Sequence, residues 1–320
     1  MLRIGVLGAA RVAVYALMEP ARTVSGCRVT TIAARERSRA VEYAAVHGIP
    51  HVHSSYASLI ADPDVDLVYV ATPPHNHREL AEAAIRAGKA VLVEKPFAMD
   101  AAEADSIFRL AGETGTPVFE AMHSLHHPLF SRLQSLMRDG SVGDVVRVRA
   151  QFDAPIDQSA TEFRWRPELG GGALMDLGVY PLAWCRHLFG EAFEVRSASA
   201  AIVGVDTSFQ AELRFPNGIE AVVSGSLFGE RHCATLEIEG SLGRIEVDNF
   251  LAPHRGHRLT MRRTGRTHTE SVEGPTTYEA QLKAVRNAFV DGAPFPLPSD
   301  DYVRSMRAID KVRSGWSQSG

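Results

Sequence analysis

The sequence has few cysteines, no excess of charge of one sign and no long apolar run. Its cysteines, Cys27, Cys185 and Cys233, are odd in number and widely spaced, and they match no metal-ligand pattern. This usage is typical of reduced thiols and predicts a cytoplasmic protein rather than a disulfide-stabilised secreted one. The formal net charge of −4 provides no electrostatic footprint for nucleic acid or for an anionic membrane.

Apolar residues make up 45% and charged residues 22% of the chain, as in soluble globular proteins. No apolar run is long enough to span a bilayer, and the first predicted strand begins at Leu2, so we expect neither a transmembrane helix nor a signal peptide. A chain of 320 residues exceeds one ordinary core, which predicts two domains.

The first part of the chain alternates apolar strands with helix-compatible segments. A strand at Leu2–Leu7 leads into a turn, a helical run reaches Thr23, and a second strand ends at Ala33. Strand, turn, helix and strand within about thirty residues form the βαβ unit that binds dinucleotides. The alternation stops after Glu120, so we predict a doubly wound parallel sheet, a Rossmann domain, over residues 1–121.

The turn after the first strand carries an imperfect dinucleotide fingerprint. Gly8 supplies the tight turn and Ala13 the close helix–strand contact, but Ala10 occupies the position of the middle glycine. An alanine there adds one methyl group where the backbone approaches the pyrophosphate, which would lie on the N–H groups that open the helix. We expect this turn to bind the cofactor through Gly8, Ala9, Ala10, Arg11 and Val12.

The end of the second strand distinguishes NAD from NADP. An NAD site places Asp or Glu there on the ribose 2′-hydroxyl, whereas this sequence has Ala34 followed by Arg35, with Arg39 close behind. A small residue followed by an arginine leaves room for a 2′-phosphate and a bidentate contact to it, so we predict NADP. The alternative is NAD, with Glu36 on the ribose and the arginines solvated.

Two further buried strands end in polar residues at the edge where open α/β sheets bind ligands. In one, Lys95 follows four apolar residues and Glu94; it is a candidate catalytic group, and the alternative is a strand cap with its lysine in solvent. His75 and His77 lack a third ligand nearby, so we predict no metal and expect His77 to pack near the cofactor. The predicted cofactor contacts from these strand ends are Thr72, Pro73, Asn76, His77, Glu94 and Lys95.

From Val145 the apolar pattern alternates with period two, and Pro216–Gly218 is a hairpin signal. We predict an α+β domain over residues 122–320, built on a large, mainly antiparallel open sheet. Helices would cover one face of this sheet and a second subunit the other, giving a homodimer or homotetramer. The predicted strands are 146–152, 207–215, 219–227, 235–239 and 244–247, and the predicted helices are 128–138, 173–188 and 278–290.

Three glycines, Gly170–Gly172, precede a predicted helix that carries Asp176 and Tyr180. Residues four apart project from the same helical face. One interpretation is a buried tyrosine hydrogen-bonded to a buried aspartate, and the other is a catalytic phenol oriented by a carboxylate. The spacing alone does not decide between them.

Four stretches together resemble the Gfo/Idh/MocA oxidoreductases, the family of glucose–fructose oxidoreductase and inositol dehydrogenase. They are Gly8–Ala13, Ala71–His77, Glu94–Pro96 and Gly171–Tyr180, in matching order over nearly the whole chain. Tyr180 stands where many members carry histidine, which makes the chain look most like the branch of dimeric dihydrodiol dehydrogenase, NADP-dependent xylose dehydrogenase and glucose–fructose oxidoreductase. The resemblance implies NADP, a Rossmann domain and a second domain whose open sheet commonly forms the dimer interface.

The resemblance also implies a hydride transfer between nicotinamide and a hydroxyl or carbonyl carbon of a sugar, dihydrodiol or related polyol or dicarbonyl. It implies Tyr180 as acid/base, Lys95 as electrostatic partner and donor to the substrate oxygen, and Asp176 as orienting carboxylate, with the first two roles open to exchange. A cationic neighbour lowers the pKa of a phenol from about 10, which favours proton exchange at neutral pH. Arg164 matches a family arginine expected to close over cofactor or substrate, and His123 is expected to face the same cleft. The predicted substrate contacts are therefore Lys95, His123, Arg164, Asp176 and Tyr180.

Two other functions remain open. One is an NAD-dependent sugar or inositol dehydrogenase in which Glu36 binds the ribose. The other is a non-catalytic NADP-binding sensor on the same fold, because a fold does not guarantee its chemistry. The presence of both Lys95 and Tyr180 favours an enzyme.

Overall fold

A computed structural model describes residues 1–159, 161–263 and 265–316, and the chain divides into two compact units. The first unit comprises residues 1–126 together with 278–306, and the second comprises the described residues of 127–277 and 307–316. The domain boundary between residues 121 and 122 stays a prediction.

The first unit is built on a six-stranded parallel sheet with the order β3-β2-β1-β4-β5-β6. The order reverses next to β1, which is the switch point where ligands bind in open α/β sheets. Every residue of β4 and β5 is buried, as expected of strands covered on both faces. The predicted Rossmann sheet is confirmed, and its strands are β1 (Leu2–Leu7), β2 (Cys27–Ala33), β3 (His51–Val52), β4 (Leu67–Val70), β5 (Ala90–Val93) and β6 (Val118–Glu120).

The second unit contains an eight-stranded sheet with the order β14-β13-β12-β11-β7-β10-β9-β8. All pairings are antiparallel except that between β7 and β10, which confirms the predicted, mainly antiparallel sheet. The antiparallel pairing of β9 with β10 confirms the hairpin at Pro216–Gly218. The strands are β7 (Val145–Pro155), β8 (Glu194–Val203), β9 (Val205–Arg214), β10 (Glu220–Ser226), β11 (Phe228–Gly240), β12 (Gly243–Asp248), β13 (Arg258–Arg263) and β14 (Arg266–Glu270).

Ten α-helices occur in the described residues. Two π-helical turns accompany them: Val14–Met18 lies between the first two helices, and Leu174–Gly178 directly precedes the helix Val179–Phe189. Within the same residues, no helix combines the length and the apolar character needed to cross a membrane. The helices are α1 (Arg11–Ala13), α2 (Glu19–Thr23), α3 (Arg37–His47), α4 (Tyr56–Ile60), α5 (His77–Arg86), α6 (Ala101–Thr114), α7 (Pro128–Arg138), α8 (Val179–Phe189), α9 (Thr277–Asp291) and α10 (Asp301–Ser314).

Each sheet buries a different part of the sequence. In the first unit, Leu282 and Val285 of α9 join Ile4, Leu17 and Tyr69 in one core. A helix from near the end of the chain therefore completes the core around the first sheet. In the second unit, α8 packs on β7 and β10. Alternate residues of β7 are buried, whereas Arg147 and Arg149 are exposed on the opposite face.

Candidate active site

The turn after β1 requires glycine at its first position. Gly8 has a φ of +108°, and a Cβ atom there would lie 3.0 Å from the carbonyl oxygen of Ala71. Its N–H donates to the carbonyl of Ala33 at 2.8 Å, which ties the turn to the end of β2. Ala10 has an extended backbone, with φ −97° and ψ 143°, which any residue adopts. The alanine in place of the fingerprint's middle glycine therefore causes no backbone strain.

The start of the first helix suits a diphosphate. Ala10 is the N-cap of α1, and its methyl group cannot accept a hydrogen bond from the N–H groups that open the helix. The hydroxyl of Tyr43 donates to the carbonyl of Ala10 at 2.9 Å and fixes the turn from α3. Ala9, Ala10 and Val12 are half-buried and Arg11 is exposed, so this part of the predicted cofactor site is accessible.

The end of β2 presents two guanidinium groups. Ala34 is buried, whereas the Arg35 side chain is 85% exposed and its Nη2 lies 3.7 Å from the Glu36 carboxylate. Burial raises the pKa of Tyr56, and the charges of Arg35 and Arg39 oppose this rise, so both arginines lie near its phenol. A small buried residue beside converging cations suits a 2′-phosphate.

His77 joins two of the strand ends at the ligand-binding edge. Its Nε2 lies 2.7 Å from the Thr72 carbonyl oxygen and its Nδ1 lies 3.0 Å from that of Pro96. Burial lowers the pKa of His77 to about 4, so the neutral ring donates to one of these carbonyls at pH 7. The single N–H of His77 thus hydrogen-bonds one side of the predicted site, and the ring lies between the Thr72 and Pro96 carbonyls.

The carboxylate that precedes Lys95 is held inside the first unit. Glu94 is buried and accepts a short hydrogen bond from the fully buried Tyr69 hydroxyl. Burial raises the pKa of Tyr69, and the Glu94 charge raises it further, so the phenol remains protonated and donates. This charge-assisted hydrogen bond connects β4 to the end of β5, next to Lys95.

Three aromatic rings form a cluster at this end of the first unit. The ring of Tyr278, at the start of α9, lies 4.1 Å from that of His123 and 5.4 Å from that of Tyr15. His123 is buried and Tyr278 half-buried. Sequence reasoning proposed His123 and missed Tyr15 and Tyr278, because their placement depends on packing between distant helices.

In the second unit, Arg164 and Asp176 form an ion pair. Nε of Arg164 donates to the Asp176 carboxylate at 2.7 Å, and Nη1 donates to Glu162 at 2.9 Å. Burial opposes the charge of Arg164, but the two carboxylates outweigh this effect and raise its pKa above the usual value. The sequence predicted Arg164 and Asp176 separately and did not predict that they pair.

The glycines before the helix allow close approach of the backbone. A Cβ atom on Gly171 would lie 2.5 Å from the carbonyl oxygen of Arg164, and the N–H of Gly172 donates to that oxygen at 2.9 Å. The loop that carries Arg164 therefore folds directly onto the start of the Asp176 helix.

The predicted helix over residues 173–188 is confirmed, but its first turns are not α-helical. Leu174–Gly178 is π-helical, and the α-helix proper is Val179–Phe189. A π-turn has i→i+5 hydrogen bonds and is frequent at functional sites. Asp176 therefore lies in the π-turn and Tyr180 in the α-helix, where the Tyr180 ring is buried 5.8 Å from that of Phe152.

A parallel sheet with a glycine-dependent dinucleotide turn, followed by a mainly antiparallel sheet unit with a buried tyrosine, defines a two-domain NAD(P)-dependent oxidoreductase. Residues 2–122 match the family model described as "Oxidoreductase family, NAD-binding Rossmann fold", and residues 130–246 match the "GFO/IDH/MocA C-terminal domain". The chain belongs to the Gfo/Idh/MocA oxidoreductase family, as its motifs predicted.

Relatives with sugar-directed activities cover most of the chain. The chain is 35% identical over 267 residues, 82% of its length and 77% of the relative's, to a dTDP-3,4-didehydro-2,6-dideoxy-alpha-D-glucose 3-reductase of Streptomyces violaceoruber. It is 30% identical over 312 residues, 96% of its length and 95% of the relative's, to a D-xylose 1-dehydrogenase (NADP(+)) of Haloferax volcanii. A crystal structure of a 3-ketoreductase from Actinomadura kijaniata, in complex with NADP and TDP-benzene, superposes with a TM-score of 0.92 at 26% identity and covers 98% of both chains. The chain is thus an NAD(P)-dependent oxidoreductase that acts on CH–OH groups.

Proposed function

We propose that this protein uses NADP and that its substrate is a sugar or a related diol or dicarbonyl. The observation that carries the cofactor choice is the exposed Arg35 beside the buried Ala34, at the position where an NAD site has an acidic residue. Glu36 follows one residue later, so NAD with Glu36 on the ribose is the competing function.

The sugar-type substrate is supported by the activities named for the relatives, a keto-sugar reductase and a xylose dehydrogenase. Solved structures of the Actinomadura ketoreductase include variants in which one lysine or one tyrosine is replaced. Lysine and tyrosine are also the two residue types in the catalytic pair proposed here. A non-catalytic sensor on this fold would have no need to retain that pair.

The chemistry supplied by the bound cofactor is hydride exchange at the nicotinamide C4. In our proposal Tyr180 moves the proton at the substrate oxygen, and the Lys95 ammonium donates to that oxygen and favours the phenolate. The two roles could be exchanged. Asp176 orients the acid/base group and is itself held by Arg164 at 2.7 Å.

The cofactor would be held entirely by residues of the first unit. We propose that the turn Gly8–Val12 binds the diphosphate and that Ala34, Arg35 and Arg39 bind the ribose 2′-phosphate. Thr72, Pro73, Asn76, Glu94 and Lys95 would line the nicotinamide half, with His77 fixing the backbone there. His123 and Arg164 would contact the substrate.

The test is a spectrophotometric screen of aldoses, ketoses, diols and dicarbonyls with NADPH and NADH. With a substrate in hand, Lys95→Ala and Tyr180→Phe are expected to lower turnover by about 10²- to 10⁴-fold, the usual range for acid–base groups, with NADPH affinity retained. The exposed Lys283→Ala is the matched control. Undiminished turnover in Lys95→Ala would refute the catalytic assignment, and turnover with NADH alone would favour Glu36 and NAD.

We also infer that a second copy of the chain covers the open face of the eight-stranded sheet. On this face Arg147 and Arg149 of β7 pair with Glu239 and Glu237 of β11, so rows of opposite charge lie side by side. Self-complementary rows suit a twofold interface, in which the same patch faces itself.

Light scattering coupled to gel filtration tests this inference. Val222 lies half-buried at the centre of the face, opposite Arg149. Val222→Glu is expected to shift a dimer or tetramer toward monomer, whereas Val46→Glu, at a site 76% exposed in the first unit, leaves the assembly unchanged. A wild-type monomer at low micromolar concentration would remove the inference.

The cysteines support a cytoplasmic location. Cys27 and Cys185 are buried free thiols, and burial raises their pKa to about 11 and about 12. Such thiols stay protonated and unreactive at neutral pH, which suits a reducing compartment and leaves them no nucleophilic role.

A further inference from the structure

Asp206, on β9, directs its carboxylate to the start of the helix that carries Asp176 and Tyr180. Oδ2 of Asp206 accepts a hydrogen bond from the Leu174 N–H at 2.6 Å, and the Ala173 N–H is also directed to this carboxylate. The helix N-cap is Ala173, whose side chain cannot accept a hydrogen bond. A residue 32 positions away in sequence thus supplies the acceptor that a Ser, Thr or Asp N-cap would normally supply.

The glycine motif makes this contact sterically feasible. A Cβ atom on Gly172 would lie 2.0 Å from Oδ1 of Asp206, and Gly172 has a φ of +117°. The space that the glycine leaves is therefore the space that the carboxylate occupies. The sequence motif Gly171–Gly172 and the remote Asp206 form one structural feature.

The same segment controls the placement of the predicted catalytic residues. The Asp176 N–H donates to the Gly172 carbonyl at 3.0 Å, and the Asp176 carboxylate accepts from Arg164 at 2.7 Å. A negative charge at the start of a helix interacts favourably with the unpaired N–H groups and with the positive end of the helix dipole. The π-turn Leu174–Gly178 is thus anchored to β9 through the Leu174 N–H and to the preceding loop through the Asp176 carboxylate.

We propose that Asp206 is a positioning residue of the active site, whose ionised carboxylate fixes the start of the helix that presents Asp176 and Tyr180. The inference rests on the proposed roles of those two residues. It assigns Asp206 no contact with substrate or cofactor, and it predicts that the reaction depends on the charge of Asp206.

The surroundings of Asp206 define where this dependence falls on the pH scale. Burial raises its pKa to about 6, while the Leu174 and Ala173 N–H groups and the charge of Arg313 oppose the rise. Arg313 of α10 also lies 3.6 Å from Asp310 and donates to the sulfur of Met175 at 2.9 Å. Turnover should accordingly fall as the pH is lowered through about 6.

The kinetic test compares the wild type with Asp206→Asn across pH 5 to pH 8. The amide keeps one acceptor oxygen instead of two, places an NH2 donor where the other oxygen was and carries no charge, so kcat is expected to fall about tenfold at pH 7.5, the scale of a lost helix N-cap. The dissociation constant for NADPH is expected to stay unchanged. The acid limb of kcat near pH 6 is expected to disappear in the variant, and the exposed Asp139→Asn is the matched control that retains it. An acid limb of unchanged position in Asp206→Asn would overturn the proposal.

Hydrogen exchange supplies a readout that needs no substrate. Amides of residues 172–180 are expected to exchange faster in Asp206→Asn, and faster in the wild type below pH 6 after correction for intrinsic rates. Unchanged exchange in both comparisons would also overturn the proposal. The wild-type comparison alone decides if the variant cannot be purified. Faster exchange in a protein that turns over none of the screened substrates would instead sustain the anchoring and refute the proposed function.

Discussion

Single atoms decide which residues the two glycine motifs tolerate. A side chain at Gly8 would strain the turn, because its φ is +108° and a Cβ atom would lie 3.0 Å from the Ala71 carbonyl oxygen. Ala10 occurs at a position with an ordinary extended backbone. The departure from the dinucleotide fingerprint at Ala10 is therefore compatible with cofactor binding. Gly172 makes room for a carboxylate from β9, a reason that no inspection of the local sequence could supply.

Arg35→Ala tests the cofactor preference at the residue scale. Losing a charge-assisted contact to the 2′-phosphate is expected to raise the dissociation constant for NADPH by about ten- to a hundredfold. The constant for NADH should change little, because NADH lacks that phosphate. Fluorescence titration with both cofactors measures the ratio, and the exposed Arg22→Ala, at the far end of α2, is the control. Equal effects on the dissociation constants of both cofactors would instead indicate that Glu36 contacts the ribose.

The residue pairs show where sequence reasoning stops. The sequence patterns identified Lys95, Asp176 and Tyr180 because each lies in a pattern with a chemical meaning, and the family resemblance added Arg164. They did not identify the ion pair of Arg164 with Asp176, or the hydrogen bond from Tyr69 to Glu94. Both contacts depend on how a loop or a neighbouring strand folds back, and spacing along the chain contains no information on that.

At the scale of elements, burial determined which strands could be predicted. Strands β7, β9, β10, β11 and β12 alternate because one face of each is buried, and all five were predicted. Strands β8, β13 and β14 were missed: they lie toward the two ends of the sheet, and every residue of β14 except Glu270 is exposed. Without a buried face, a strand has no apolar period to detect.

The π-turns were missed for a different reason. A π-turn changes which carbonyl each N–H reaches, and the apolar pattern of residues 174–178 remains compatible with an α-helix. Gly178 ends this π-turn at a point where a Cβ atom would lie 2.6 Å from the ring of Phe209. Close packing against β9 thus accompanies the irregular turn, and this packing is a tertiary effect.

At the scale of the whole molecule, the order of the chain differs from the order of the cores. Residues 278–306 follow the second sheet in sequence but belong to the first unit, where Leu282 and Val285 are buried in its core. A single boundary between two consecutive domains cannot describe a unit that is formed by two separate stretches of the chain. The helix over residues 278–290 was predicted as cover for the second sheet, and that assignment is wrong, because Leu282 and Val285 pack in the core of the first unit. A helical segment in the sequence does not specify which sheet the helix covers.

The stability of the two units should respond differently to acid, because burial shifts the pKa values of their titratable groups with different effects on proton uptake during unfolding. In the first unit, His77 has a pKa of about 4 when folded and 6.5 when unfolded, so the unfolded chain binds the extra proton between these values. The free energy of unfolding therefore falls as the pH is lowered from 6.5 to 4, by ~3 kcal/mol for this group. In the second unit, burial lowers the pKa of His127 to about 4 as well, with the same sign. Asp206 acts oppositely there, since its folded pKa of about 6 lies above 3.8 and the folded state binds the proton.

We therefore expect acid to destabilise the first unit more than the second. Urea unfolding at pH 7 and pH 5, followed by hydrogen exchange so that the two sheets are resolved, measures this difference. His77→Asn is expected to be less stable at pH 7 but to lose much less stability on acidification, because the group that takes up the proton on unfolding is gone. The exposed His51→Asn in β3 should keep the wild-type pH dependence. If His77→Asn and the wild type lost stability in parallel between pH 7 and pH 5, the buried neutral imidazole would not be the cause of the acid sensitivity.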